Sequence, residues 1–119
     1  MIADDEVDQL GYVKDKIYQK IAVLENSNVE MERYVCAYAR IIYELLMYET
    51  DGKAFRDYHK FMLSALYYFC DPFDYIPDLS QEDAYLDDAL VINQCLTAVK
   101  EQSRDTYRRI KNYIRDSNI

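Results

Sequence analysis

The sequence predicts an all-α protein: a single-domain antiparallel bundle of four to five helices, with a proline-containing acidic turn before the last long helical region. Three observations predict it. Gly and Pro number two each among 119 residues, whereas sheet proteins depend on many turns and hence on those residues. Half of the chain is apolar, which suffices for a core in a domain of this length, where about two thirds of the unfolded surface is buried on folding. The apolar residues also recur every three or four positions over long stretches, the period that lines up one face of a helix.

The first helix is predicted over residues 4–24. Val7, Leu10, Val13, Ile17, Ile21 and Leu24 form its inner face, and Asp4, Asp5, Glu6 and Asp8 crowd its first turns, where carboxylates suit the helix dipole. Gly11 weakens it slightly. Asn26-Ser27-Asn28 ends it, and Ser27-Asn28-Val29-Glu30 reads as a capping box for a second helix. That helix carries Met31, Tyr34, Val35, Tyr38, Ile41, Ile42, Leu45 and Tyr48 as its buried stripe and stops at Asp51-Gly52, with Gly52 suited to a left-handed cap.

A third helix is predicted over residues 53–69, with Phe55, Tyr58, Met62, Ala65, Leu66 and Phe69 inward. Pro72 ends it, because the residue before a proline avoids the helical region. Residues 71–80 form the punctuated turn, with Asp71 as cap, Pro72 at the first position and Pro77 breaking the turn. Ser80-Gln81-Glu82-Asp83 caps the last helical region, whose stripes are Leu86, Ala89, Ile92, Leu96 and Val99, then Tyr107, Ile110 and Ile114. One helix over residues 81–116 would be unusually long, so a break is predicted between Lys100 and Asp105.

The formal net charge is −8. Such a field repels phosphate backbones, which disfavours nucleic acid as a partner for the whole surface and favours a basic protein surface. The longest apolar run, Phe61 to Cys70, is too short to span a bilayer, so stable membrane insertion is not expected. Cys36, Cys70 and Cys95 are odd in number and include no CxxC pair, and the acidic start Met1–Glu6 does not read as a secretory leader. Reduced, buried thiols in a cytoplasmic protein follow. His59 is the single histidine and is expected to be half-buried and hydrogen-bonded. No phosphate loop, dinucleotide fingerprint, zinc spacing or nucleophile elbow occurs, which points away from the common enzyme classes. Arg104, Arg108, Lys111 and Arg115 share one helix face, expected to lie opposite Tyr107, Ile110 and Ile114, as a solvated face that balances the acidic body or a small patch for an anionic surface or nucleic acid.

From Phe61 to Val99 there is no Lys or Arg, yet the stretch holds Asp71, Asp74, Asp78, Glu82, Asp83, Asp87 and Asp88. Like charges at this density repel one another unless capping bonds, a cation or a basic partner offsets them. Pro72-Phe73-Asp74-Tyr75-Ile76-Pro77-Asp78, followed after six residues by Tyr85-Leu86-Asp87-Asp88, resembles the signature of the YkvA-like family, a domain of unknown function, over about residues 55–98. That family's spacer is apolar and glycine-rich, whereas Leu79–Ala84 is polar here and is expected to face water. The resemblance implies a fold element and, because some members are membrane-associated, a membrane-peripheral role as one alternative. It implies no enzymatic activity.

Two roles are open for the acids. Asp74 and Asp78 can accept backbone N–H bonds and lock the turn, with Asp88 reaching back to it and Asp87 pointing away. Alternatively Asp74, Asp78 and Asp88 hold a divalent cation, which takes several carboxylate oxygens. The expected function is that of a small acidic, non-enzymatic protein-binding domain of the inhibitor or immunity type. Its contact surface would be the acidic turn, Asp71, Asp74, Asp78, Asp83, Asp87 and Asp88, and it would need no cofactor. The alternatives are a divalent-metal enzyme or regulator and a membrane-peripheral module.

Overall fold

Local hydrogen bonding and the helical period account for where several of the helices start and stop. A computed structural model describes residues 4–51, 53–70 and 84–116, with side chains from Asp8 onward in the first helix and from Ala89 onward in the fourth. Its helices are α1 (Asp4–Leu24), α2 (Glu30–Thr50), α3 (Asp57–Cys70), α4 (Ala84–Gln102) and α5 (Arg104–Asp116), and no strand occurs among the described residues. The all-α bundle predicted from sequence is therefore the architecture found.

Three boundaries show how the caps work. The residue before α2 is Val29, at φ −86° and ψ 116°, and its side chain makes no capping bond. Ser27 sits two residues too early to cap. Its hydroxyl instead accepts the Val29 N–H at 3.0 Å and donates to Glu32 at 2.5 Å, so the expected Ser27–Glu30 capping box does not form. The third helix begins at Asp57 and not at residue 53, because Arg56 takes the cap position. The Arg56 carbonyl accepts the His59 N–H at 3.0 Å, and His59 Nδ1 accepts the Arg56 N–H at 3.0 Å in return. The second bond is the returning half of a capping box, with a histidine in the place of the usual Glu.

The predicted break in the last helical region falls at Ser103. Its N–H closes α4 on the Val99 carbonyl at 2.7 Å, its carbonyl accepts the Tyr107 N–H at 3.0 Å, and its hydroxyl accepts the Thr106 N–H at 3.4 Å. One serine thus ends one helix and caps the next. At the end of α2 the cap residue Asp51 is extended, and Gly52 and the segment 71–83 lie outside the described residues.

The core is built from one stripe of each helix. Val13, Ile17 and Ile21 of α1, Ile42 and Leu46 of α2, Met62, Leu66 and Phe69 of α3, Ile92 and Val99 of α4, and Ile110 of α5 are fully buried. Among the described residues α3 packs against α1, α2 and α4, while α5 packs against α2 and α4. The radius of gyration is 13.8 Å, close to the value of about 13.5 Å for a compact chain of this length.

Two members of the predicted α2 stripe are not core. Met31 is 39% exposed in the first turn and Tyr48 is 73% exposed. Tyr48 lies roughly 120° around the helix from Ile42, off the buried seam. Cys36, Ala39 and Leu46 are buried in their stead. The three cysteines are buried and unoxidised; Cys36 donates to the Ile21 carbonyl at 3.7 Å, and burial pushes the Cys95 thiol up to about 12. No helix among the described residues is long and apolar enough to cross a membrane.

Candidate functional site

Of the acidic turn, Asp71, Asp74, Asp78 and Asp83 lie outside the described residues. Asp87 and Asp88 fall near the start of α4, with side chains outside the description. The proposed cation ligands Asp74, Asp78 and Asp88 are thus not brought together or separated by any described geometry. Among the described residues no group of three or more His, Cys, Asp and Glu side chains could hold a metal ion.

The described interior does contain a polar cluster, and it is centred on Glu49. This residue follows Ile42 by seven positions, two helical turns, which places a carboxylate on the middle of the buried α2 face. Tyr58 and His59 reach it from the first turn of α3, and Thr106 reaches it from α5. The Tyr58 hydroxyl donates to Oε1 at 2.8 Å, His59 Nε2 lies 3.1 Å from the same oxygen, and the Thr106 hydroxyl donates to Oε2 at 2.9 Å. The Ser103 hydroxyl donates to Thr106 Oγ1 at 3.0 Å, which orients the threonine proton toward Glu49. Because His59 Nδ1 accepts the Arg56 N–H, the proton is assigned to Nε2, aimed at Glu49.

The electrostatics follow from these bonds. Burial pushes the Glu49 carboxyl up, but the bonds from Tyr58, His59 and Thr106, with the neighbouring imidazole, outweigh it and hold the group below its ordinary 4.5. The Tyr58 hydroxyl is pushed up, first by burial and then by its bond to the carboxylate. A carboxylate, an imidazole and a phenol are the parts of acid–base chemistry, but a base needs a free lone pair aimed at substrate. Here both ring nitrogens of His59 are engaged, and the side-chain exposures of His59 and Glu49 are 3% and 12%. The cluster ties α2, α3 and α5 together as a lock in the fold, and neither Glu49 nor His59 lines any of three grooves found among the described residues. His59 is more deeply buried than the half-buried state expected from sequence.

Sequence reasoning passed over Glu49, Thr106 and Ser103. A signal existed: Glu49 continues the α2 stripe two turns beyond Ile42, and Thr106 precedes Ile110 by one turn on the α5 stripe. A polar residue on an apolar stripe needs a buried partner.

The surface divides by charge. Residues 100–119 hold six of the fourteen bases and three of the twenty-two acids, net +3; residues 1–99 hold the other eight bases and nineteen acids, net −11. At the positive end, Lys111 Nζ donates to the Tyr38 hydroxyl at 3.0 Å and lies 5.3 Å from the Tyr38 ring centroid and 5.7 Å from that of Tyr107. Lys100 Nζ lies 5.5 Å from the Tyr107 centroid. Tyr107 is therefore beside the basic face and not opposite it, at the border between core and solvent. Arg115 is engaged with Asn112 at 3.2 Å and Asp116 at 3.9 Å. On the far side of the α2–α5 seam, Tyr48 and Tyr113 stand exposed around Arg109.

No protein-family model, no curated protein and no solved structure matches this chain. The YkvA-like resemblance accordingly rests on the sequence pattern over about residues 55–98 alone.

Proposed function

We propose that this chain is a small acidic, non-enzymatic protein-binding domain, of the inhibitor or immunity type, that docks a basic surface of its partner. One observation carries the reading: a net charge of −11 over residues 1–99, with no Lys or Arg from Phe61 to Val99. An uncompensated field of that size attracts cationic surfaces over a Debye length and speeds their encounter. Two features support it. The described acid–base pair is committed to holding helices together, and exposed tyrosines such as Tyr48 suit a protein contact. A cytoplasmic location fits three buried thiols that form no disulfide.

The test is salt. A partner co-purified with the tagged full chain at low ionic strength is identified, and its association rate is measured as NaCl is raised. The rate is expected to fall by an order of magnitude or more between about 0.05 and 0.5 M salt. Association that is equally fast at both ends of that range would remove the electrostatic basis of the proposal.

A further inference from the structure

The positive end of the molecule carries a second, independent reading. Between α4 and α5 runs a groove of about 700 Å³ lined by Asn93, Lys100, Glu101, Arg104, Tyr107 and Lys111, among others. Its size falls within the range of about 300–1,000 Å³ typical of small-ligand pockets. Three cations converge on it against one carboxylate, Glu101. Among the described residues Lys100, Arg104 and Lys111 make no ion pair, and Asp105, the acid beside Arg104, is taken by Arg109 at 3.3 Å.

This arrangement concentrates positive charge on one groove. Arg104 is the first residue of α5, where the helix dipole disfavours a cation. Lys100 and Lys111 both sit within 6 Å of the Tyr107 ring, whose π electrons draw both ammoniums to this groove. The bond to Tyr38 raises the Lys111 ammonium's affinity for its proton, so that charge persists throughout the neutral range. An oxyanion between the three cations would gain a charge-assisted bond from each, and the Asn93 amide adds a polar group to the wall.

We propose that the α4–α5 groove binds a small phosphate-bearing solute, held between Lys100, Arg104 and Lys111 beside the ring of Tyr107. The size of the ligand follows from the rest of the molecule. An extended polyanion or an anionic bilayer on this face would also meet the field of the −11 remainder. A small anion enters the groove and meets the local cations alone, since charges beyond about 8 Å are largely screened at physiological salt. The groove residues are not those of the proposed protein contact, and neither reading requires the other.

Calorimetric titration of the full chain with pyrophosphate, against NaCl of equal ionic strength, tests this. Saturable one-to-one binding is expected, weakened roughly tenfold or more in the double variant K100Q/R104Q, since each lost charge-assisted contact is a sizeable share of a small ligand's affinity. Both side chains are exposed and neither makes a hydrogen bond within the fold, so the variant is expected to keep its circular dichroism spectrum. The control K14Q/K16Q removes the same charge from α1, which packs against neither α4 nor α5 among the described residues, and is expected to bind as wild type. Absence of saturable binding overturns the proposal, and so does equal weakening in both double variants, which would mean diffuse charge only. Tighter binding to a single-stranded oligonucleotide or to anionic vesicles than to pyrophosphate overturns the small-ligand assignment.

Discussion

Glu49 shows how much of a small helical fold can hang on one side chain. Its carboxylate accepts from Tyr58, His59 and Thr106, so three donors on two other helices depend on it. Glu49→Ala leaves those donors without their acceptor in a largely dry site and is expected to cost about 3 kcal/mol, measured by urea unfolding. The pH dependence has a definite sign. Folding lowers the Glu49 pKa, so the unfolded chain binds the proton more readily. The stabilisation is fully present above the ordinary value of 4.5 and is lost as the pH falls through the lower folded value. The stability gap between wild type and Glu49→Gln should therefore be constant near neutrality and shrink below that value. A gap that widens on acidification would contradict the assigned direction. The signal for this residue was in the sequence, as a carboxylate on an apolar stripe. The identity of its partners was not, since they come from other helices.

At the level of the helix, ends matter as much as faces. The entry to α2 is the weak one: Val29 has the extended backbone of a cap residue but offers no oxygen to the first turn. Val29→Ser is expected to raise stability by about 1 kcal/mol, the usual worth of an N-cap, read as a higher urea midpoint at unchanged m-value. Gly11 in α1 is exposed, and a β-carbon placed there meets nothing within 4 Å. Gly11→Ala is expected to stabilise by about 0.5–1 kcal/mol through the lower entropy of the unfolded chain. Helix count, the break at Ser103 and the inner faces of α1 and α4 were legible from the spacing of apolar residues. The start of α3 was not, because residues 53–56 have helical-looking neighbours, and their non-helical course ends where the His59 ring reaches back to Arg56. The Ser27 box failed for a similar reason, as Glu32 lies within reach of the hydroxyl and the helix begins two residues after the place a box would require.

For the molecule as a whole, charge is the dominant asymmetry. With a net charge of −8, the compact state repels itself more strongly than the expanded chain. Its melting temperature is expected to rise as NaCl increases from about 0.01 to 0.15 M, where the Debye length shortens from about 30 to 8 Å. A flat or falling melting curve would show that pairwise contacts already neutralise the field. The same screening that stabilises the domain should slow its capture of a basic partner, so the two salt responses run in opposite directions.

Periodicity, composition and charge were sufficient to establish an all-helical chain, most of its inner faces and its acidic imbalance, because each of these is a property of neighbours along the chain. The Glu49 lock and the Lys111 cluster belong to a different class. Thr106 meets Glu49 across 57 residues, and Lys111 meets Tyr38 across 73. A stripe of apolar residues reports that a face is buried without reporting which face it is buried against. Where two helices cross therefore decides which polar groups are satisfied and which cations are left crowded together, and that emerges when five stripes close on one core.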